Sequence, residues 1–295
     1  MEGTQKETIF CVRKENPEYP QKLKNYQGMP QQLYYKGTLP DSNLPSVAIV
    51  GARMCSVYGR IQAFRFGRVL SAAGVQVISG MALGIDSEGH KGAMEGNTPT
   101  FAVLGSGVDI CYPSSNRQLY QRILRNGGGI ISEYPEGTQA MPYYFPARNR
   151  IISALADVVL VVEAKKNSGS LITANYAMEQ GKAVYAVPGA VNDELSYGCH
   201  KLIYDGAGIA YCPEILLSEW GISIKNEKET EEKNEIGLAS DLNLVYSCLD
   251  LRPKNLDFFI NKTGFPPGKT SSLLLELEVL GLAREIGRHY YVRQE

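Results

Sequence analysis

The sequence lacks the residue patterns of several common kinds of site. Its six cysteines are scattered and form no Cys-x-x-Cys pair, and its three histidines, His90, His200 and His289, lie far apart. Zinc sites and disulfide frameworks need paired cysteines or clustered histidines. We therefore expect no metal, no other cofactor and no disulfide, and a reducing, cytoplasmic environment.

Long apolar runs and an excess of one charge are also missing. No run approaches the roughly 20 residues that span a bilayer, and residues 1–6 lack the basic and apolar segments of a secretion signal, so we expect no contact with a membrane. The 30 Lys and Arg residues face 31 Asp and Glu residues, which gives a net charge of −1. A site for nucleic acid must therefore be a local cluster of cations.

Short apolar runs alternate with helical patterns between residues 46 and 221. The strands are predicted at 47–50, 75–79, 100–104, 129–132, 158–163 and 183–187, and the helices at 59–73, 84–96, 114–126, 147–155 and 169–181. This alternation predicts a parallel sheet covered on both faces, which is an α/β, Rossmann-like fold. The proline-rich residues 1–45 are interpreted as a lead-in that packs on this domain, with a short strand at 33–37 and a short helix around Lys22.

The end of the chain carries the pattern of a second, smaller domain over residues 241–295. Its apolar spacing predicts three helices, at 242–249, 256–260 and 273–280, and then a hairpin that turns near Gly287. Three helices and a hairpin are typical of a winged helix. The charged residues 222–240 lack an apolar stripe and are interpreted as a linker, with a solvated helix as the alternative.

Small and polar residues follow nearly every predicted strand of the main domain. In sheets of this kind ligands bind beyond the carboxyl ends of the strands, where backbone amides at a helix start can hold a phosphate. After the first strand, Gly51 allows a close approach of a ligand, Arg53 adds a positive charge and Ser56 adds a hydroxyl. The alternative is an ordinary turn with a solvated arginine.

Seven ordered segments of the main domain carry distinctive motifs. They are Gly51-Ala52-Arg53 with Ser56 and Tyr58-Gly59; Ser79-Gly80-Met81-Ala82-Leu83-Gly84-Ile85-Asp86 with His90; Gly105-Ser106-Gly107 with Tyr112-Pro113 and Asn116; Ser132-Glu133-Tyr134-Pro135; Phe145-Pro146-Ala147-Arg148-Asn149-Arg150; Glu163-Ala164 with Ser168-Gly169-Ser170 and Thr173; and Val187-Pro188-Gly189. Together they resemble the DNA processing protein A family, also called Smf. The resemblance covers residues 17–221 closely and 241–295 more loosely.

The resemblance implies a function as well as a fold. It implies an extended Rossmann domain that binds and protects single-stranded DNA, helps to load the RecA recombinase during natural transformation, and forms a homodimer. It implies no catalytic activity, and the DNA-contacting arginine of the family falls on Arg53. The residues expected at the DNA phosphates are Gly51, Ala52, Arg53, Ser56, Gly80, Gly84, Asp86, Ser106, Gly107, Arg148, Asn149, Arg150, Ser168, Gly169, Ser170 and Thr173.

Several of these residues have a structural alternative. Arg53 could pair with Asp86 instead of a phosphate, although the fork of a guanidinium suits phosphate. Because Arg148 and Arg150 are two residues apart on a helix, only one of them is expected to face the crevice. Asn149 is expected to cap that helix rather than to bond a base.

The other candidates have structural alternatives too. The serines at 168 and 170 could form an anion nest or simply cap a helix. Phe145 could stack on a base, as Tyr143 and Tyr144 could, or belong to the core. His90 is expected to be structural.

An enzyme that processes nucleotides, related to the phosphoribohydrolases, is the competing interpretation. The Pro-Gly-Gly-x-Gly-Thr motif of those enzymes is absent, since residues 166–171 read Lys-Asn-Ser-Gly-Ser-Leu. Glu133 and Glu163 are available acids, but no nucleophile and base stand out as a pair. A dehydrogenase is disfavoured because the first turn is not Gly-x-Gly-x-x-Gly, and a protein-interaction scaffold is the third alternative.

Overall fold

The computed structural model describes residues 8–222, 240–250 and 253–294. The chain divides into two compact units, residues 1–224 and 225–295. The residues interpreted as a linker, 222–240, lie outside the described part except at their two ends. Within the described part, no helix has the length and apolarity needed to cross a bilayer.

The first unit is built on one nine-stranded sheet. Its strands are β1 (Phe10–Arg13), β2 (Gln32–Gly37), β3 (Ser46–Val50), β4 (Gln76–Ser79), β5 (Thr100–Val103), β6 (Gly129–Ser132), β7 (Val158–Val161), β8 (Ala183–Ala186) and β9 (Gly208–Ile209). They lie in the order β1-β2-β6-β5-β4-β3-β7-β8-β9. The seven strands from β6 to β9 in this order are parallel, whereas β2 pairs antiparallel with β6 and β1 antiparallel with β2.

The predicted α/β fold with a parallel sheet is therefore confirmed, and the lead-in differs from its prediction. Residues 10–37 contain the expected short strand, as β2, and the expected short helix around Lys22, but they also extend the sheet by two strands instead of only packing on the domain. Every residue of β3 and β7 is buried, as expected for apolar runs covered on both faces. The core accordingly forms one apolar layer on each side of the sheet, around Ile152 and Val159 on one side and around Phe66 and Leu160 on the other.

Eight α-helices accompany this sheet in the described residues. They are α1 (Gln21–Lys24), α2 (Val57–Ala72), α3 (Ile85–Ala93), α4 (Arg117–Arg125), α5 (Tyr144–Leu155), α6 (Ser170–Glu179), α7 (Tyr197–Tyr204) and α8 (Pro213–Ser218). The helix α5 begins three residues before its prediction, because proline is tolerated in the first turn of a helix and Pro146 lies there. The short helices α7 and α8 were not predicted.

The chain reverses its direction across the sheet at β3. It runs from β3 outward through β4 and β5 to β6, and then returns to β7, which pairs with β3 on its other side. Connections leave the carboxyl ends of β3 and β7 in opposite directions, which opens a crevice between them. This point of the fold is where a ligand site is expected.

The second unit contains α9 (Ser240–Ser247), α10 (Leu256–Thr263), α11 (Pro267–Val279) and a sheet of β10 (Lys254–Asn255), β11 (Ala283–Gly287) and β12 (Tyr290–Arg293). The sheet has the order β10-β12-β11 and is antiparallel. Its core includes Phe259, Leu274 and Leu277. The three helices and the hairpin agree with the sequence pattern, β10 was not predicted, and the assignment as a winged helix stays a prediction.

Candidate nucleic-acid interface

A cavity of about 480 Å³ lies at the carboxyl edge of the sheet, where the chain reverses. The end of β3, the first turns of α5 and the start of α6 form its walls. Its lining residues are Val50, Gly51, Arg53, Ala82, Asp86, Tyr112, Pro142, Phe145, Pro146, Arg148, Asn149, Ile152, Ser168, Gly169, Ser170, Ile172 and Thr173.

The cavity brings together residues from five of the seven motifs. Nine of the residues expected from the sequence line it, namely Gly51, Arg53, Asp86, Arg148, Asn149, Ser168, Gly169, Ser170 and Thr173. The other seven do not, namely Ala52, Ser56, Gly80, Gly84, Ser106, Gly107 and Arg150. Tyr112, which was not among the expected site residues, is also part of the wall.

Arg53 is the exposed cation of this cavity. Its guanidinium carbon lies 5.4 Å from the centre of the Phe145 ring, and that ring lies 5.2 Å from the ring of Tyr112. Within the described part of the chain Arg53 has no ion pair, and Asp86 accepts hydrogen bonds from the amides of Gly80 (3.1 Å) and Ala82 (3.4 Å) instead. The pairing of Arg53 with Asp86 that the sequence left open is therefore not formed.

The start of α6 forms another part of the cavity wall. Ser168 and Ser170 share a hydrogen bond of 2.8 Å between their hydroxyls, and the Ser170 amide lies 3.4 Å from the Ser168 hydroxyl. Gly169 is exposed between them. The amino end of a helix carries a partial positive charge and unpaired amides, so this wall favours an anion.

Arg148 lines the cavity but is fixed in place. It is 4% exposed, and its Nη1 donates to the carbonyl oxygen of Gly80 at 2.7 Å and to that of Val103. These bonds fasten α5 to the ends of β4 and β5. The pKa of the Arg148 guanidinium is lowered to about 10, mainly by burial, with Asp86 opposing the shift and nearby Arg53 adding to it. Its charge contributes to the positive potential of the cavity, whereas its Nη1 is already paired with two carbonyl oxygens.

Comparison with known proteins gives one consistent family. The family model described as DNA recombination-mediator protein A matches residues 10–221. Protein Smf of Synechocystis sp. is 33% identical over an alignment that covers 99% of this chain and 82% of that protein. DNA processing protein DprA of Streptococcus pneumoniae is 42% identical over an alignment that covers 68% of this chain and 71% of that protein. The chain belongs to the DNA recombination-mediator protein A family.

Two solved structures of DNA processing protein A resemble this chain. The X-ray structure of the Streptococcus pneumoniae protein has a TM-score of 0.67 at 40% identity, and the match covers 73% of this chain and 75% of that one. The Helicobacter pylori protein, whose structure is described as giving insight into a unique single-stranded DNA binding mode, has a TM-score of 0.64 at 27% identity, covering 73% of this chain and 96% of that one.

One family motif residue, Ser56, braces the Arg53 loop instead of facing the cavity. Its hydroxyl accepts from the Gly59 amide at 3.0 Å, which caps α2, and donates to Oε1 of Glu163 at 2.5 Å. The amide of Ser56 donates to Oε2 of the same carboxylate at 2.9 Å. In this structure the Ser56 hydroxyl is already paired and the residue does not line the cavity, so a contact of Ser56 with phosphate stays a prediction.

Glu163 is the main support of the loop that carries Arg53. The side chain is 2% exposed, and besides holding Ser56 the residue accepts a bond from the Ala52 amide at its backbone oxygen (2.8 Å). Its role was not predicted as part of the site. The signal was its position two residues after the end of β7, at the reversal point of the sheet.

Two motif glycines, Gly80 and Gly84, do not line the cavity. Each of them lets a neighbouring part of the chain pack against its backbone. Gly84 has a φ of +74°, and a Cβ there would lie 2.3 Å from the backbone oxygen of Ala52. A Cβ on Gly80 would lie 2.5 Å from Nη1 of Arg148. Gly80, and Ala52 beside Arg53, line smaller or neighbouring cavities. These residues shape the site without lining it.

Two further residues expected at the phosphates, Ser106 and Gly107, lie in the loop after β5 and do not line the cavity. The hydroxyl of Ser106 donates to the backbone oxygen of Ile110 at 2.9 Å, and a Cβ on Gly107 would lie 2.6 Å from the backbone oxygen of Pro135. Both residues are buried in the loop. They hold its shape and do not reach the cavity.

Asn149 differs from its expectation, whereas the two arginines of α5 agree with the expectation that only one of them faces the cavity. Nη2 of Arg150 lies 2.5 Å from Oε2 of Glu133 in a partly buried ion pair, so of the two arginines on α5 only Arg148 reaches the cavity. Asn149 lies inside α5 and caps no helix. Its Nδ2 donates to the backbone oxygen of Gly169 at 3.2 Å, which links α5 to the start of α6.

His90 is a buried neutral histidine, as expected for a structural residue. Its Nδ1 lies 2.7 Å from the Thr100 hydroxyl, which itself donates to the backbone oxygen of Val77 at 2.8 Å. Nδ1 therefore carries the proton and donates. Complete burial lowers the pKa of His90 to about 3. The imidazole is consequently no acid or base for a reaction near neutral pH.

This pKa predicts that acid weakens the fold. Because the folded-state pKa lies below the ordinary value of 6.5, the unfolded chain binds more protons below pH 6.5, and stability falls as the pH falls. Between pH 7 and pH 5, His90 lowers the free energy of unfolding by about 2 kcal/mol. Urea unfolding at both pH values should show this extra loss in the parent and in His200→Gln, but not in His90→Gln. Equal losses in all three proteins would contradict the assignment.

Proposed function

We propose that the chain binds single-stranded DNA in the cavity at the carboxyl edge of the sheet, without catalysing a reaction. The observation that carries the proposal is the guanidinium of Arg53, without an ion pair in the described residues, next to the ring of Phe145, in a cavity that Tyr112 and the start of α6 also line. Cations next to accessible aromatic rings bind single strands, because phosphates pair with the cations and bases stack on the rings.

The wider role follows from family membership. We infer that the protein protects incoming single strands and helps to load the RecA recombinase during natural transformation, that it works in the cytoplasm, and that it forms a homodimer through its first unit. The printed description of the Helicobacter pylori relative, which names single-stranded DNA binding, supports the first step. A pull-down of RecA on DNA coated with this protein tests the second.

The residues considered for an enzyme support the binding role better. Glu163 is buried and holds Ser56, Glu133 pairs with Arg150 outside the cavity, and His90 is buried and neutral. None of the three is placed to activate a nucleophile in the described cavity. Filter binding with labelled oligothymidine should show retention, and a nucleotide-hydrolysis assay on the same sample should show no product. Hydrolysis without retention would favour the phosphoribohydrolase alternative.

We expect the first unit alone to keep most of the affinity. In the second unit, Lys269 is the single cation of α11, and it lies 2.6 Å from Asp241, so little free positive charge faces outward from that helix. DNA-reading helices normally bring several cations to the phosphates.

This expectation is tested with two fragments and the full chain. Residues 1–224 should bind oligothymidine within about threefold of the full chain, whereas residues 225–295 should bind weakly or not at all. Fluorescence anisotropy at one fixed salt concentration measures all three. If residues 225–295 bind strongly and residues 1–224 do not bind, the proposal has assigned the DNA site to the wrong unit.

A further inference from the structure

A second cavity, of about 560 Å³, adjoins the first one. Arg53 and Ser168 line both cavities, so they form the boundary between them. The remaining wall comes from Met54, from the loop after β7 with Lys165 and Lys166, and from Tyr197 at the start of α7. We call it the Tyr197 cavity.

The Tyr197 cavity offers apolar surface to solvent. The Tyr197 residue is 49% exposed and Met54 is 84% exposed. Both side chains line the same cavity, so together they offer a bound group an aromatic ring and a flexible thioether. A nucleobase has a flat face, and aromatic side chains stack on it whatever the base.

Two lysines accompany this apolar surface. Nζ of Lys166 lies 5.9 Å from the centre of the Tyr197 ring, and it has no ion pair within the described residues. Lys165 pairs with Glu194 at 3.0 Å, with 57% and 83% of the two side chains exposed. A pair this exposed is weak and screened, so Lys165 can exchange the carboxylate for a phosphate.

We propose that the Tyr197 cavity holds the nucleotide that follows the short segment of the strand bound in the first cavity. Its base stacks on Tyr197 and its phosphate lies at Lys166, while Arg53 binds the phosphate between the two cavities. The proposal rests on the proposed function, since it extends the same strand across Arg53. It assigns a DNA contact to Lys166 and Tyr197, which neither the motifs nor the fold indicated.

Oligothymidines of two lengths test this extension on the full chain. An oligomer of about 4 nucleotides fills the first cavity, and one of about 16 reaches beyond it. Tyr197→Leu should lower the affinity for the longer oligomer by about tenfold and the affinity for the shorter one by less than twofold. Leucine keeps the apolar contact but offers no ring on which a base can stack. Tyr197→Trp should restore the affinity for the longer oligomer.

The charge is tested by the salt dependence of binding. Lys166→Ala should reduce the log–log slope of affinity against salt by about 0.7 for the longer oligomer and leave the slope for the shorter one unchanged. Lys91→Ala removes the same charge from a residue that lines neither cavity and should change neither slope.

The outcomes separate this proposal from the proposed function. One outcome is that Tyr197→Leu and Lys166→Ala leave the binding of the longer oligomer unchanged, while Arg53→Ala lowers the affinity for both oligomers. The strand then does not enter the Tyr197 cavity, and this inference is overturned. If Tyr197→Leu and Tyr197→Trp weaken both oligomers equally, Tyr197 supports the fold, and the inference fails as well. If the unchanged protein binds neither oligomer, the proposed function itself fails.

Discussion

Replacing Arg53 with alanine is expected to lower the affinity for single-stranded DNA by about 10- to 100-fold, because one charge-assisted contact to a phosphate contributes about 1.5–3 kcal/mol. The Arg53 side chain is exposed and stacks near Phe145, and it has no ion pair in the described chain. Its removal should therefore leave the free energy of unfolding unchanged. Fluorescence anisotropy and urea unfolding of the same sample measure both quantities.

The loss should have the character of a phosphate contact. Arg53→Ala should weaken oligomers of all sequences alike, and Arg53→Lys should recover only part of the affinity, since an ammonium lacks the fork of a guanidinium. Arg68→Ala, on an exposed position of α2 that lines neither cavity, is the matched control and should bind normally. Unchanged affinity in a folded Arg53→Ala protein would remove the main support of the proposed function.

Replacing Arg148 with alanine is expected to destabilise the fold by about 3–5 kcal/mol, the usual cost of removing one partner from a buried charged network. The substitution leaves the backbone oxygens of Gly80 and Val103 without the donor that Arg148 supplies. It also removes the positive charge that lowers the pKa of Asp86, which burial already raises. The first unit should therefore unfold at a clearly lower denaturant concentration.

The contrast between the two arginines is part of this prediction. Both line the cavity, yet Arg53→Ala should affect binding and Arg148→Ala should affect stability. Urea unfolding monitored by circular dichroism compares them directly, with Arg53→Ala as the control. A loss below about 1 kcal/mol in Arg148→Ala would mean that its two carbonyl contacts contribute no more than ordinary surface hydrogen bonds.

The central strands could be predicted closely from the sequence, because burial on both faces leaves an uninterrupted apolar run. The strands β3 to β8 each lie within two residues of their predicted ends. The outer elements were harder. Strand β1 contains Cys11 and Arg13, three of its four residues are exposed, and β9 has only two residues, so neither produces a periodic pattern that a sequence reader can detect.

The position of the candidate site in the fold could be predicted from the sequence, but the contacts of its side chains could not. The motif glycines and Arg53 marked the carboxyl edge of the sheet correctly. Which hydroxyl and which guanidinium remain free depends on partners far away in the chain: Ser56 is held by Glu163, 107 positions later, and Arg148 by Gly80, 68 positions earlier. No local pattern encodes such partners, so Ser56 and Arg150 were expected in the cavity and Glu163 was not.

Ultraviolet cross-linking of oligothymidine to the full chain, followed by mass spectrometry of the peptides, tests most directly where single-stranded DNA binds. Tyr112 and Phe145 line the cavity beside Arg53, and aromatic rings that stack on bases are well placed to form photo-adducts. We predict adducts on the peptides that carry these two residues, and their loss in Arg53→Ala. Adducts confined to peptides from residues 253–294 would contradict the assignment of DNA binding to the first unit.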